Sequence, residues 1–352
     1  MKKLLLTLAL VLGSATAFAQ VAKNELKQLQ TFLNEPSQNG GMLNAEVLKI
    51  SNLKDPSSWE GVKMENGHIT AIEWKDKGLA GALDLSGFQY LQKLDVQRNK
   101  LTSLNLTGNS ALTELDAQRN VLASAVFDGC TSLQKVNIYK NRLTEITFEN
   151  VPALENLNLS NNYFISLDVT GLPALKTLNC QGNHLENLMV QGCTNLKNLY
   201  CGYNKLTSLN LFGTENLTNL NVDDNNITTM IVSGLPTLST FICSDNNMTS
   251  LGVRDCKMLL DLVCSYNDLT TLSIDNCPNL LYVDCSYNDL TQLVISNQTF
   301  LQRLICNNNQ LQFLDVSFDP ALTYVNCRYN MITDFRTIGD NQLHMVACQW
   351  NY

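Results

Sequence analysis

Apolar residues recur along this chain with a period of 21. Leucine stands at Leu91, Leu112, Leu133, Leu154, Leu175, Leu196, Leu217, Leu238, Leu259, Leu280, Leu301, Leu322 and Leu343. With that leucine numbered slot one, slot nine is asparagine in all thirteen coils, from Asn99 and Asn120 to Asn330 and Asn351. Slots four, six, eleven and fourteen are apolar wherever present, and slot sixteen is polar only at Thr337. Within each coil, slots four and six alternate with polar residues, as in Leu199-Tyr200-Cys201. So do slots fourteen and sixteen, as in Leu209-Asn210-Leu211. Alternation of this kind predicts half-buried strands. A coil with two such strands cannot bury itself, and stacking coils gives a continuous core. At slot nine a short amide can bond the turn's own backbone. Stacked copies can also bond one another. These Asn residues read as inward structure.

The pattern resembles the leucine-rich repeat family. The core L-x-x-L-x-L-x-x-N/C-x-L is matched by Leu175, Leu178, Cys180, Asn183 and Leu185. The short repeat with a second L-x-L half is similar to the bacterial class called IRREKO repeats, and to the repeats of internalin-type surface proteins. The resemblance covers roughly residues 69–352. It implies a mainly β leucine-rich repeat solenoid with a parallel sheet on the first-strand (concave) face. Short strands or extended segments stand on the other side, with an α-helical N-terminal cap. It also implies that the first-strand face is the binding surface.

The segment 20–68 does not repeat. KNELKQLQTFL places Leu26, Leu29 and Leu33 on one helical face before Pro36. Leu43, Val47 and Ile50 suggest a second short helix. Trp59-Glu60-Gly61-Val62 then precedes a strand at His68–Trp74. This order is similar to the N-terminal caps of leucine-rich repeat proteins, and a solenoid's open end needs a cover. Residues 1–19 read as a secretory signal peptide. Lys2 and Lys3 precede the apolar LLLTLALVLG, and Ala17-Phe18-Ala19 offers a small-x-small cleavage site. The expected mature protein is exported: periplasmic, cell-surface or secreted. At the other end the thirteenth coil is truncated. Trp350 and Tyr352 are expected over its edge, where end-to-end self-association is one outcome.

Length and composition refine this picture. A chain of 352 residues suggests two domains by length alone, but the repeat makes it one capped solenoid of 69–352. Charged residues are only 16 %, because inward Leu, Asn and Cys slots are used again and again. The net charge of −8 argues against nucleic acid as a partner. Among the 12 cysteines, eight share slot six and four share slot nineteen (Cys130, Cys193, Cys256 and Cys277). Slot six interchanges with Val96, Ala117 and Ile138, so these sulfurs read as small hydrophobes. A Cys256–Cys277 disulfide is the alternative, disfavoured by the near-parallel Cβ vectors of ladder neighbours. A row of thiols one coil apart does not converge as zinc requires.

Slots three, five, seven and eight are expected to point outward from the first strand. They hold Tyr139, Tyr200, Tyr203, Tyr266, Tyr282, Tyr287, Tyr324, Tyr329 and Trp350. Tyrosine is favoured at interfaces. Charge on this face is zoned, with Arg98, Arg119 and Lys140 early and Asp223, Asp224 and Asp245 later. The three aspartates lie on adjacent coils and could hold calcium. The plainer reading is a solvated acidic patch, and no metal or cofactor is expected. His68, His184 and His344 lie apart in the repeat and mark no catalytic set. The expected function is a non-catalytic binding module that holds a protein partner, as in adhesion. A carbohydrate ligand stacked on the tyrosine row, or a structural envelope role, are the alternatives.

Overall fold

The computed structural model describes residues 23–351 apart from 39, 296–297 and 340–341. The expected leader, 1–19, and Tyr352 lie outside these residues. The chain forms two compact units that divide between Tyr163 and Phe164.

In the first unit, residues 23–33 form the expected helix. Its face buries Leu29, Phe32 and Leu33, and Phe32 stacks on Trp74 with ring centroids 6.3 Å apart. The second helix is shorter than its apolar spacing suggested and spans Asn44–Val47. A hairpin of Val62–Glu65 and His68–Glu73 opens the first sheet. Gly61 is required here, because a Cβ would lie 2.4 Å from the Glu73 carbonyl oxygen. Parallel strands Lys93–Asp95, Glu114–Asp116, Lys135–Asn137 and Asn156–Asn158 follow. Leu94 pairs with Leu115, Leu115 with Val136 and Val136 with Leu157, each pair one repeat apart. On the other side Ala80–Asp84, Lys100–Asn105 and Ser124–Val126 form a second parallel sheet.

The second unit repeats the plan. Its first sheet runs from Thr177–Asn179 to Met345–Ala347 in unbroken register. Its second side carries three short sheets, the widest made of Thr229–Ser233, Ser250–Arg254 and Thr271–Asp275. The second strand does not form in every coil. It is missing at 145–148 in the first unit, and at 208–212 and 291–295 in the second. At 145–148 Phe148 packs against Phe127 of the preceding coil, tilted with ring centroids 5.9 Å apart.

The inward slots form the core. Leu91, Leu94, Leu112, Leu133 and Leu154 in the first unit have no exposed surface, nor have Leu175, Leu196, Leu262 and Leu280 in the second. Full burial of one such side chain contributes roughly 1.5–3 kcal/mol.

The slot-nine asparagines are buried as expected from Asn99 to Asn330, and Asn351 on the last coil is half-buried; they bond backbone and not one another. Asn288 shows the pattern. Its Nδ2 donates to the carbonyls of Cys285 and Ser286 in its own coil and of Cys264 in the preceding coil. Its Oδ1 accepts the Leu269 N–H at 2.9 Å. The same set recurs at Asn204, Asn267 and Asn330, and Asn120 makes it without the slot-seven carbonyl.

Asn288→Ala would leave a buried N–H and carbonyls unpaired. Thermal or urea unfolding should show a loss of about 3 kcal/mol. The opposite sign is expected at Asn109, in slot nineteen. It is fully buried and neither amide atom has a partner. Asn109→Leu supplies the residue that slot nineteen carries at Leu172, and should raise stability by about 1–2 kcal/mol by the same measurement.

Candidate functional site

Slot eight follows the first strand, and its backbone is left-handed throughout. Arg98, Arg119, Lys140, Tyr203, Asp224, Asp245, Tyr266, Tyr287, Tyr329 and Trp350 have φ between 49° and 58°. Coil-to-coil hydrogen bonds hold this turn, as where the Tyr266 N–H donates to the Ser286 carbonyl at 3.0 Å. A bulky residue in this conformation costs of order 1–3 kcal/mol, and glycine avoids that cost. The chain uses Gly182 there once and the tolerant Asn161, Asn308, Asp224 and Asp245, and in the remaining coils it places Arg, Lys, Tyr or Trp.

In the second unit these side chains stack. The Tyr266 and Tyr287 rings lie 4.3 Å apart and 8° from parallel. Tyr329 and Trp350 lie 4.6 Å apart and 6° from parallel. All four are about half exposed, as is Tyr203. Ladder spacing places the rings in van der Waals contact, which contributes about 0.5–1.5 kcal/mol beyond area burial. Within each pair the facing ring surfaces cover each other. Slot three adds a second column. Tyr282 and Tyr324 are half-buried, and the Arg303 guanidinium lies between their rings. The Tyr282 hydroxyl donates to Asp284 Oδ2 at 3.2 Å. Burial, then the neighbouring Asp284 charge, pushes this phenol up to about 12. Tyr200 is half-buried in slot five.

Slot seven departs from the outward expectation. Gln97, Ser160, Ser244, Ser265, Ser286 and Asn307 are buried. A small polar side chain there turns back onto slot five, as Ser286 Oγ does on Asp284 Oδ1 at 2.6 Å.

The basic trio Arg98, Arg119 and Lys140 belongs to the first unit, where Arg119 lies over the Tyr139 ring at 5.6 Å. The acidic and aromatic residues belong to the second. There Tyr203, Asp223, Asp224 and Asp245 are neighbours, and Asp223 raises the Tyr203 phenol most. Burial, then the charges of Asp224 and Asp245, raise Asp223 itself, and its Oδ1 has no hydrogen-bond partner. Gly202 makes room for it, because a Cβ there would lie 2.1 Å from Asp223 Oδ1. Among the described residues no three metal-ligating side chains converge.

All twelve cysteines are free thiols. Burial pushes Cys180 and Cys285 up to about 12, and Cys130, Cys193 and Cys327 up to about 11. Thiols held protonated are poor nucleophiles. Cys348 departs from the buried expectation and is exposed on the last coil, with Met345 and Val346. His68 is buried and stacks on Tyr90 at 4.1 Å, with Nδ1 3.3 Å from Glu25 Oε1. It joins the cap helix to the first sheet.

No protein-family model and no curated protein matches the chain. Solved structures do. The fold is that of a leucine-rich repeat protein. YopM of Yersinia pestis, a leucine-rich effector, aligns with a TM-score of 0.58 at 22 % identity over 79 % of this chain and 88 % of that one. A leucine-rich repeat protein of Leptospira interrogans aligns at 0.50 and 22 % identity, over 70 % and 74 %. The functional domain of InlJ from Listeria monocytogenes, which includes a cysteine ladder, aligns at 0.47 and 24 % identity, over 74 % and 68 %. At these identities the likeness speaks to the repeat fold.

Asp223 yields a prediction with a defined sign. Its folded-state pKa is raised, so ionisation opposes folding above the unfolded value of about 3.9. Asp223→Asn should therefore raise the melting temperature at pH 7. The gain should shrink as the pH falls toward 3, where both states carry a neutral side chain. Parallel melting curves of the two proteins across that range check this.

Proposed function

We propose that this protein is an exported, non-catalytic binding module of the short bacterial repeat class, and that it holds a protein partner on the outer face of the first sheet. The observation that carries this reading is the slot-eight column. Aromatic side chains occupy left-handed positions that glycine would fill at lower cost. They pack on one another and not into the core. Strain kept at an outward position indicates a use for the side chain. Rigid half-exposed Tyr and Trp are the residues that dominate protein interfaces.

Geometry favours a protein over a sugar. Sugar stacking needs open ring faces, and within each stacked pair the facing surfaces are taken. Half-exposed Tyr and Trp suit the mixed apolar and hydrogen-bonding contacts of a polypeptide. The leader-like sequence of residues 1–19 is what supports export in this reading, and adhesion or another neighbour-facing contact is the role that follows. Among the described residues no helix is long and apolar enough to cross a membrane.

Tyr266, Tyr287 and Tyr329 changed together to Ala test the reading. Proximity labelling and a glycan array would be run with both proteins, and circular dichroism would check the fold. Partner affinity should fall at least about 30-fold, the scale of one lost hot-spot residue. Unchanged binding of every protein and glycan, with the fold intact, would sink the proposal.

A further inference from the structure

On the face assigned to binding, the Arg303 side chain keeps its hydrogen-bonding capacity unspent. Arg303 lies in slot three between Tyr282 and Tyr324, paired in register with both. Its guanidinium carbon is 5.8 Å from the Tyr282 ring centre and 4.8 Å from that of Tyr324. Both distances fall within the range of cation–π attraction. Among the described residues its guanidinium makes no hydrogen bond and no ion pair. Other arginines of the same unit are engaged: Arg336 bonds Asp334 at 2.8 Å and Arg328 bonds Gln349. Asp284, the acid on the adjoining coil, is occupied. It accepts the Tyr282 hydroxyl, the Ser286 N–H and the Ser286 hydroxyl.

A guanidinium between two rings has its plane restrained before any ligand arrives. Its N–H fork matches a carboxylate in bidentate geometry. Restraint before binding lowers the ordering cost of the contact. The chain as a whole carries a net charge of −8, so long-range attraction does not bring acids here. A local, shaped donor does. Resting on the protein-binding reading above, we infer that Arg303 is a specificity determinant that reads an Asp or Glu side chain in an acidic segment of the protein partner. The stacked aromatics Tyr266 with Tyr287 and Tyr329 with Trp350 form the apolar flank of that contact.

A random-peptide display library, panned on the whole protein, provides the probe. The tightest peptides are synthesised with their acids intact and with each Asp or Glu replaced by its amide. Binding is then measured to the wild type, to Arg303→Met and Arg303→Lys, and to the triple tyrosine variant. Arg303 is exposed, and circular dichroism confirms that the substitutions leave the fold unchanged.

The expected result is selected peptides that carry an acid, a loss of at least about tenfold on amidation, and no such difference with Arg303→Met. Arg303→Lys should recover only part of the discrimination, because an ammonium lacks the planar fork. Amide peptides that bind the wild type equally well overturn the inference. So does discrimination that survives in Arg303→Met. If peptides still depend on the three tyrosines while ignoring Arg303, the face reading stands and this inference fails. If no peptide depends on either, both fail. Arg303-dependent binding of an oligogalacturonate, with none for acidic peptides, also overturns it by assigning the carboxylate to a glycan.

Discussion

The amide of the slot-nine asparagine is the interaction on which the rest of the structure depends. At the end of each first strand the chain turns, and its inward N–H and carbonyl groups would be buried without partners. One amide meets them: its nitrogen donates to two coils and its oxygen accepts from one, as Asn288 does toward Cys264, Cys285 and Leu269. Aspartate lacks the donors, and leucine lacks both groups. Because the partners lie on consecutive coils, this side chain also sets the coil spacing. The leucine rows then close around it, and each unit becomes a stack of equivalent turns.

Equivalence turns sequence slots into columns. Like side chains one repeat apart lie at ladder distance, so neighbours in a slot become packing partners. Outward, the Tyr266 and Tyr287 rings stack. On the other side of the coil, Phe127 and Phe148 form a tilted pair. Sulfur is the small solution. Cys180, Cys201, Cys243, Cys264, Cys285, Cys306 and Cys327 fill slot six without crowding, protonated and unreactive.

Charge follows the same geometry. Asp223, Asp224 and Asp245 repel one another, and burial adds to the cost at Asp223. Arg303 is the counterexample. Its neighbours along the column are aromatic, and the acid beside it is spent on hydroxyl and amide donors. The outward columns add ring stacking and cation–π contact between neighbouring coils.

Much of this was legible in the sequence, because a strict repeat reports packing directly. The cap helix over 23–33, the strand from His68, the two-faced coil, the inward leucines and asparagines and the packing role of the cysteines all follow from slot and period. The left-handed turn at slot eight was hidden. Asn161, Gly182, Asp224, Asp245 and Asn308 suit positive φ and were the available signal, but Arg, Lys, Tyr and Trp in the same slot mask it, and the common backbone requirement of stacked coils imposes the turn on all of them. Slot seven was misplaced outward, because alternation says nothing about a serine folding back onto slot five. The Tyr282–Arg303–Tyr324 column could have been found by reading slot three down the repeat. The sequence by itself determined the coil and what faces inward, since burial and backbone hydrogen bonding act within one repeat. The division into two units, the missing second strands, the ring stacks and the unpaired guanidinium were decided by tertiary structure. Each depends on how one coil meets the next, and a single repeat holds no record of its neighbour.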